Sequence, residues 1–252
     1  AQFRVLENRL GLRSDLRLQY QKTDYKEFFK DVDHPALSSS ESAPSLFDVI
    51  ESWLERTPHL HYADFQWWEQ YRVAVDAELA RQRKEIESNP FFTKSDVEQE
   101  LHSMRTTAKS FDILFDEGKY HEHTNKLNSR HLSHKAMQAA LLISLYKEEP
   151  VFQMPHRVLS LLGDVDKYLS MWRYRHATMV QRMIGVKIGT GGSSGYGYLR
   201  TTVTDRYKVF VDLFHMSTYL LPQSALPKLP AGLQRKMVFV REDDEQAQST
   251  SA

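Results

Sequence analysis

Apolar residues recur every three or four positions along most of the chain, and sustained alternation is nearly absent. That period restricts the fold to packed helices. Leu46, Val49, Ile50, Trp53 and Leu54 form one stripe. Ser45 opens it, with Asp48 three residues on as in a capping box, and Pro58 stops it. Phe65, Trp68, Tyr71, Val75 and Leu79 form a second stripe from about Asp64, running into RQRKEIES, a stretch expected to be solvated. A third starts near Ser95 and carries Val97, Leu101, Met104, Ala108, Phe111 and Phe115. After Ser133, KAMQAALLISLY has only Gln138 and Ser144 as polar central residues, which predicts burial on most sides. Pro150 ends that helix. Pro155 suits the first turn of the next, predicted to reach Gly185 with a kink near Gly163. At around thirty residues this helix spans on the order of 45 Å. A last helix is predicted from Tyr198 to Leu221, with Leu199, Val203, Tyr207, Phe210 and Phe214 facing inward and Pro222 as its stop.

The remaining segments fill in the organisation. AQFRVLENRLG has no initiator Met and no capping residue, and reads as the middle of a helix. It predicts a fragment, cut from a longer protein or processed. The serine-rich ALSSSESAPS (36–45) is expected to be a mobile loop, REDDEQAQSTSA (241–252) a disordered tail, and KMVFV (236–240) a short strand. No internal repeat and no alternation of strands with helices is present. The predicted class is all-α: a core of long helices over 1–44 and 116–240, a small helical subdomain over 45–115, and the tail 241–252.

Composition excludes several chemistries. The 33 basic and 33 acidic residues give no net charge and no basic block, against binding driven by phosphate neutralisation, so no nucleic-acid partner is expected. Cysteine is absent, which removes disulfides, thiolate metal sites, iron–sulfur clusters and a thiol nucleophile. No run approaches the roughly 20 apolar residues of a membrane helix, so no membrane is expected.

Six of the ten glycines fall within thirteen residues, Gly185 to Gly197. Glycine collects where a backbone bends unusually or approaches something closely. GTGGSSG (189–195) lacks the GK[ST] of a P-loop, and no strand precedes it as a dinucleotide fingerprint requires. It reads either as a helix cap and linker or as a loop closing over a small ligand, with hydroxyls from Thr190, Ser193 and Ser194. Just upstream, His176 shares a helical face with Leu169, Trp172, Met179, Val180 and Met183. On spacing alone it is a satisfied core histidine or a metal ligand. His121, Glu122 and His123, with His131 and His134 nearby, lack a carboxylate placed by a rigid element, and read as solvated loop histidines. Arg200, Asp205, Arg206, Lys208 and Asp212 read as a solvated helix face with local ion pairs.

The string WRYRHATMVQRMIG, followed by GTGGSSGYGYLR and DRYKVFVDLF, resembles the tryptophan 2,3-dioxygenases, and WLERTP fits the same pattern. The resemblance runs from QFRVLENRLG to LLPQSALPKLP, dense over 132–221 and thin over 82–110. It implies a helical haem-binding core and haem b (iron protoporphyrin IX) as cofactor. By motif position His176 is the axial iron ligand, with Trp172 packed beside it. Thr190 is the contact to the substrate's amino-acid end, within the closing loop Gly189, Gly191, Gly192, Ser193, Ser194 and Gly195. The implied reaction is cleavage of the indole C2–C3 bond of L-tryptophan by O2 to give N-formylkynurenine, the first step of the kynurenine route. A cytoplasmic homotetramer is implied for the intact protein. The family's distal histidine, carboxylate-binding arginine and indole-pocket aromatics lie in a segment upstream of QFR, so no catalytic residue is assigned here, and this piece alone is expected to be inactive. The alternative is a truncated or diverged member that binds haem, or only partner chains, without catalysis.

Overall fold

The computed structural model describes residues 2–12, 30–57, 61–62, 65–127, 129–185 and 195–237. Eleven helices make up its regular structure among the described residues, apart from short 3-10 turns and one two-residue ladder. They are α1 (Gln2–Leu10), α2 (His34–Ser42), α3 (Leu46–Glu55), α4 (Trp67–Ser88), α5 (Lys94–Phe115), α6 (Glu117–Lys126), α7 (His134–Leu145), α8 (Pro150–Ile184), α9 (Gly195–Thr201), α10 (Val211–His215) and α11 (Ala231–Met237). The ladder pairs β1 (His61–Tyr62) with β2 (Phe65–Gln66) antiparallel, Tyr62 opposite Phe65. The all-α expectation holds. The chain divides into two compact units, 1–56 with 121–136 and 160–215, and 57–120 with 137–159 and 216–252.

In the first unit α1 ends at Gly11, whose φ of 104° only glycine adopts freely. The Gly11 and Leu12 amides both donate to the Glu7 carbonyl, at 3.1 and 3.0 Å. Close approach is needed as well: a Cβ here would lie 2.7 Å from both Phe47 Cβ and Ser45 Oγ. Ser45 and Asp48 form the expected capping box of α3. Arg130 donates to Asp48 and to the Gly11 carbonyl, and its guanidinium lies 4.0 Å over the Phe47 ring. Burial alone would push the Asp48 carboxyl up; the Ser45 hydrogen bonds and Arg130 more than offset it and hold it below the usual carboxylate range. Phe47 stacks against Phe210 at 6.0 Å, and the buried α3 residues are Phe47, Ile50 and Leu54.

In the second unit α4 packs along α5. Trp67 stacks on Tyr71 at 5.2 Å, and Phe111, Phe115 and Tyr146 close around them. The phenols are satisfied by backbone: Tyr71 donates to the Tyr219 carbonyl at 2.5 Å and Tyr146 to that of Pro227 at 2.6 Å. Burial pushes both phenols up, Tyr146 to about 12. A second capping box, Thr93 with Asp96, starts α5.

Several local expectations are corrected. Residues 36–42 lie in α2, with Pro35 in its first turn. Phe47 is buried in α3 where Leu46 and Val49 are not, and in α4 Trp67 is buried where Trp68 is not. Residues 121–123 belong to α6, not to a loop. Lys236 and Met237 end α11, while 238–240 lie outside the described residues, as does 241–252. Pro150 opens α8, and Pro155 lies inside it. The helix predicted over 198–221 is broken into α9, a turn at Asp205–Tyr207, α10 and a turn at Met216–Tyr219. The β-branched run Thr201–Thr204 is a poor helix former, and the Thr202 and Thr204 hydroxyls cap the carbonyls of Leu199 and Thr201.

Candidate functional site

Helix α8 runs for 35 residues, about 50 Å. Its buried seam in the first unit is Leu162, Asp166, Leu169, Arg173 and Ala177, at helical spacing. Two of these five are charged, and both are fully engaged. The Asp166 carboxylate, 1% exposed, accepts the consecutive amides of Val209 (2.8 Å) and Phe210 (2.5 Å). Burial raises its pKa against those two hydrogen bonds and the nearby Arg173 and Lys208 charges. Arg173, 3% exposed, donates to the Tyr207 carbonyl at 2.8 Å and pairs with Glu7 of α1 at 2.7 Å. These contacts hold the backbone between α9 and α10 against α8.

Beside the seam runs a second apolar stripe that is exposed. Tyr168, Trp172, Met179 and Met183 lie on it, with Trp172 43% and Met183 74% exposed, and Ile184 is exposed at the helix end. His176 sits at the border of the two, half-buried. The Trp172 indole lies flat on its imidazole, with centroids 5.1 Å apart and planes 10° apart. Neither ring nitrogen of His176 makes a hydrogen bond to another described residue. On the outer face of the same stretch, Tyr174, Arg175, Thr178, Met179, Arg182 and Met183 line a shallow hollow of about 480 Å³. His176 is not among its lining residues.

Only part of the expected site falls among the described residues. Trp172 and His176 are brought together. Gly189, Thr190, Gly191, Gly192, Ser193 and Ser194 lie outside the described residues, and Gly195 begins α9. The histidines near 121–134 gather no metal set: among the described residues no group of three or more candidate ligands is present. His131 has both ring nitrogens engaged, Nδ1 with Asp212 at 2.6 Å and Nε2 with Ser129 at 2.9 Å. Asp212 also accepts the Leu132 amide at 2.6 Å, so it is an internal strut and not part of a solvated face. Lys208, expected on that face too, lies 3.8 Å over the Phe214 ring and pairs with Asp205. Asp166, Arg173 and Glu7 had no sequence signal beyond polar residues at core positions of a helix. No helix among the described residues is long and apolar enough to cross a membrane.

The family model for tryptophan 2,3-dioxygenase matches residues 1–220. A curated tryptophan 2,3-dioxygenase of Dictyostelium discoideum is 47% identical over 238 residues, 94% of this chain and 59% of the relative. Tryptophan 2,3-dioxygenase B of Danio rerio is 44% identical over 229 residues, covering 90% and 55%. The tryptophan 2,3-dioxygenase of Alteromonas mediterranea is 40% identical over 238 residues, covering 94% and 65%. The chain thus spans between 55% and 65% of the length of these relatives.

Proposed function

The chain belongs to the tryptophan 2,3-dioxygenase family, and from this we propose that it supplies the proximal haem side of an enzyme that opens the indole ring of L-tryptophan with O2. The product is N-formylkynurenine. The observation that carries the reading is the Trp172–His176 pair on an exposed apolar stripe.

The residues present fit an iron porphyrin. A porphyrin needs one unprotonated imidazole nitrogen on a rigid element and apolar surface around it. His176 offers a ring with no competing hydrogen bond to a described residue, about three-quarters of the way along a continuous helix. Tyr168, Met179 and Met183 offer apolar area on the same side. His176 would ligate the iron, and Trp172 would limit rotation of the imidazole by packing on its face. When bound, haem b supplies the iron that activates O2. The chain's own contribution is orientation: the apolar stripe offers surface for the porphyrin to cover, and the buried seam of α8 keeps the histidine in register.

Thr190, in the glycine-rich stretch 189–195, would hold the amino-acid end of the substrate and, together with an arginine, favour L-tryptophan over indole amines lacking a carboxylate. The carboxylate's arginine partner and the distal pocket are not assigned to any residue of this chain. The whole enzyme is proposed to be a cytoplasmic homotetramer that completes each site with those parts.

The test is His176→Ala. Loss of the haem absorption band from the purified protein is expected; an unchanged band would overturn the axial assignment. A protein as long as the relatives that keeps its haem band but forms no N-formylkynurenine when presented with tryptophan and O2 would favour a member that binds haem without catalysis.

A further inference from the structure

The buried seam of α8 is a place where a helix interior would be expected to be apolar, yet it holds a carboxylate and a guanidinium within two turns. Burying a charge is costly unless every partner is supplied. Here all but one of the partners come from one short segment of backbone. Asp166 takes the amides of Val209 and Phe210, and Arg173 takes the carbonyl of Tyr207, so three residues of the segment 207–210 are gripped from a single helix. Arg173 also reaches Glu7, which ties α1 into the same grip. Residues seven apart on a helix point within about 20° of each other, so both grips act on one line along α8.

His176 is three residues beyond Arg173, about 60° around the helix from that line. A grip on one line of a helix sets its rotation about its own axis. Rotation of about 10° would carry an imidazole nitrogen, roughly 6 Å from the axis, through about 1 Å. Displacements of that size are costly at a reacting centre. The geometry points to Asp166 and Arg173 as positioning residues for His176, a clasp that sets the direction in which the imidazole faces its iron. This rests on the axial role of His176.

The experiment uses the haem-loaded protein and reads the iron–histidine stretching band of the ferrous form by resonance Raman, together with the haem reduction potential. The parent is compared first with His176→Gly, in which the band should vanish and return on adding free imidazole. A parent without that band would sink the axial reading and this proposal with it. Arg173→Lys keeps the charge opposite Glu7 but loses the planar fork that reaches two acceptors. It should remain folded, keep stoichiometric haem, and show a shifted or split band with an altered potential. Asp166→Asn, which loses one acceptor oxygen, should do the same; if it does not fold, Arg173→Lys decides alone. Lys167→Ala, an exposed neighbour in a surface pair with Asp164, is the control and should leave both readouts unchanged. A band and potential in Arg173→Lys identical to the parent, with the His176→Gly result intact, would overturn the clasp while leaving the axial role standing.

Discussion

Arg173 and His176 are three residues apart on α8 but live in different surroundings: the guanidinium is sealed between Glu7 and the Tyr207 carbonyl, while the imidazole lies at the margin against Trp172. One helix thus combines a fixed anchor with an available ligand.

Trp172→Ala follows from that margin. The indole covers one face of the imidazole, and such ring contacts contribute about 1 kcal/mol. The variant should keep haem but bind it several-fold more weakly in a haem titration. Unchanged affinity would show that the stacking has no part in ligation.

Thr190→Ala tests the glycine-rich loop. Losing a hydrogen bond to a charged substrate group should raise KM for L-tryptophan roughly tenfold, with haem content unchanged. Steady-state kinetics on protein that turns over tryptophan decide the matter, and parental constants would remove Thr190 from the substrate site.

Two glycines should respond with opposite signs. Gly11→Ala forces a side chain into a left-handed turn against Phe47 and Ser45, and should cost about 2–3 kcal/mol in denaturant unfolding. Gly163→Ala, inside α8 with nothing within 4 Å of its would-be Cβ, should stabilise by about 0.5–1 kcal/mol.

Acid sensitivity should centre in part on Asp48. Its folded pKa lies below the unfolded value of 3.8, so its contribution is complete above that value and is lost as pH falls toward the folded one. The urea midpoint of the parent should exceed that of Asp48→Asn at pH about 6, and the gap should narrow at pH about 3. A gap that stays constant would remove the carboxylate from the acid response.

Much of this was legible in the sequence wherever interactions were local. Ser45 and Asp48 announced their capping box because both halves lie within one turn. His176 was placed with Trp172 because period alone brings them together. What sequence could not show was which apolar stripe is core: Leu169 and Trp172 look equivalent on a helical wheel, but one is buried and the other is exposed. Long-range pairs were likewise invisible. Asp166 meets Val209 from 43 residues away and His131 meets Asp212 from 81, and such contacts override the helical pattern that ran through 198–221.

The exposed stripe of α8 also carries a chemical vulnerability. Met179 and Met183 are thioethers open to solvent, and oxidation of either would plant a polar sulfoxide on a surface that needs to stay greasy. In an oxidising environment these two sulfur atoms would be worn long before the buried seam felt it, and a sulfoxide reductase could reverse the damage.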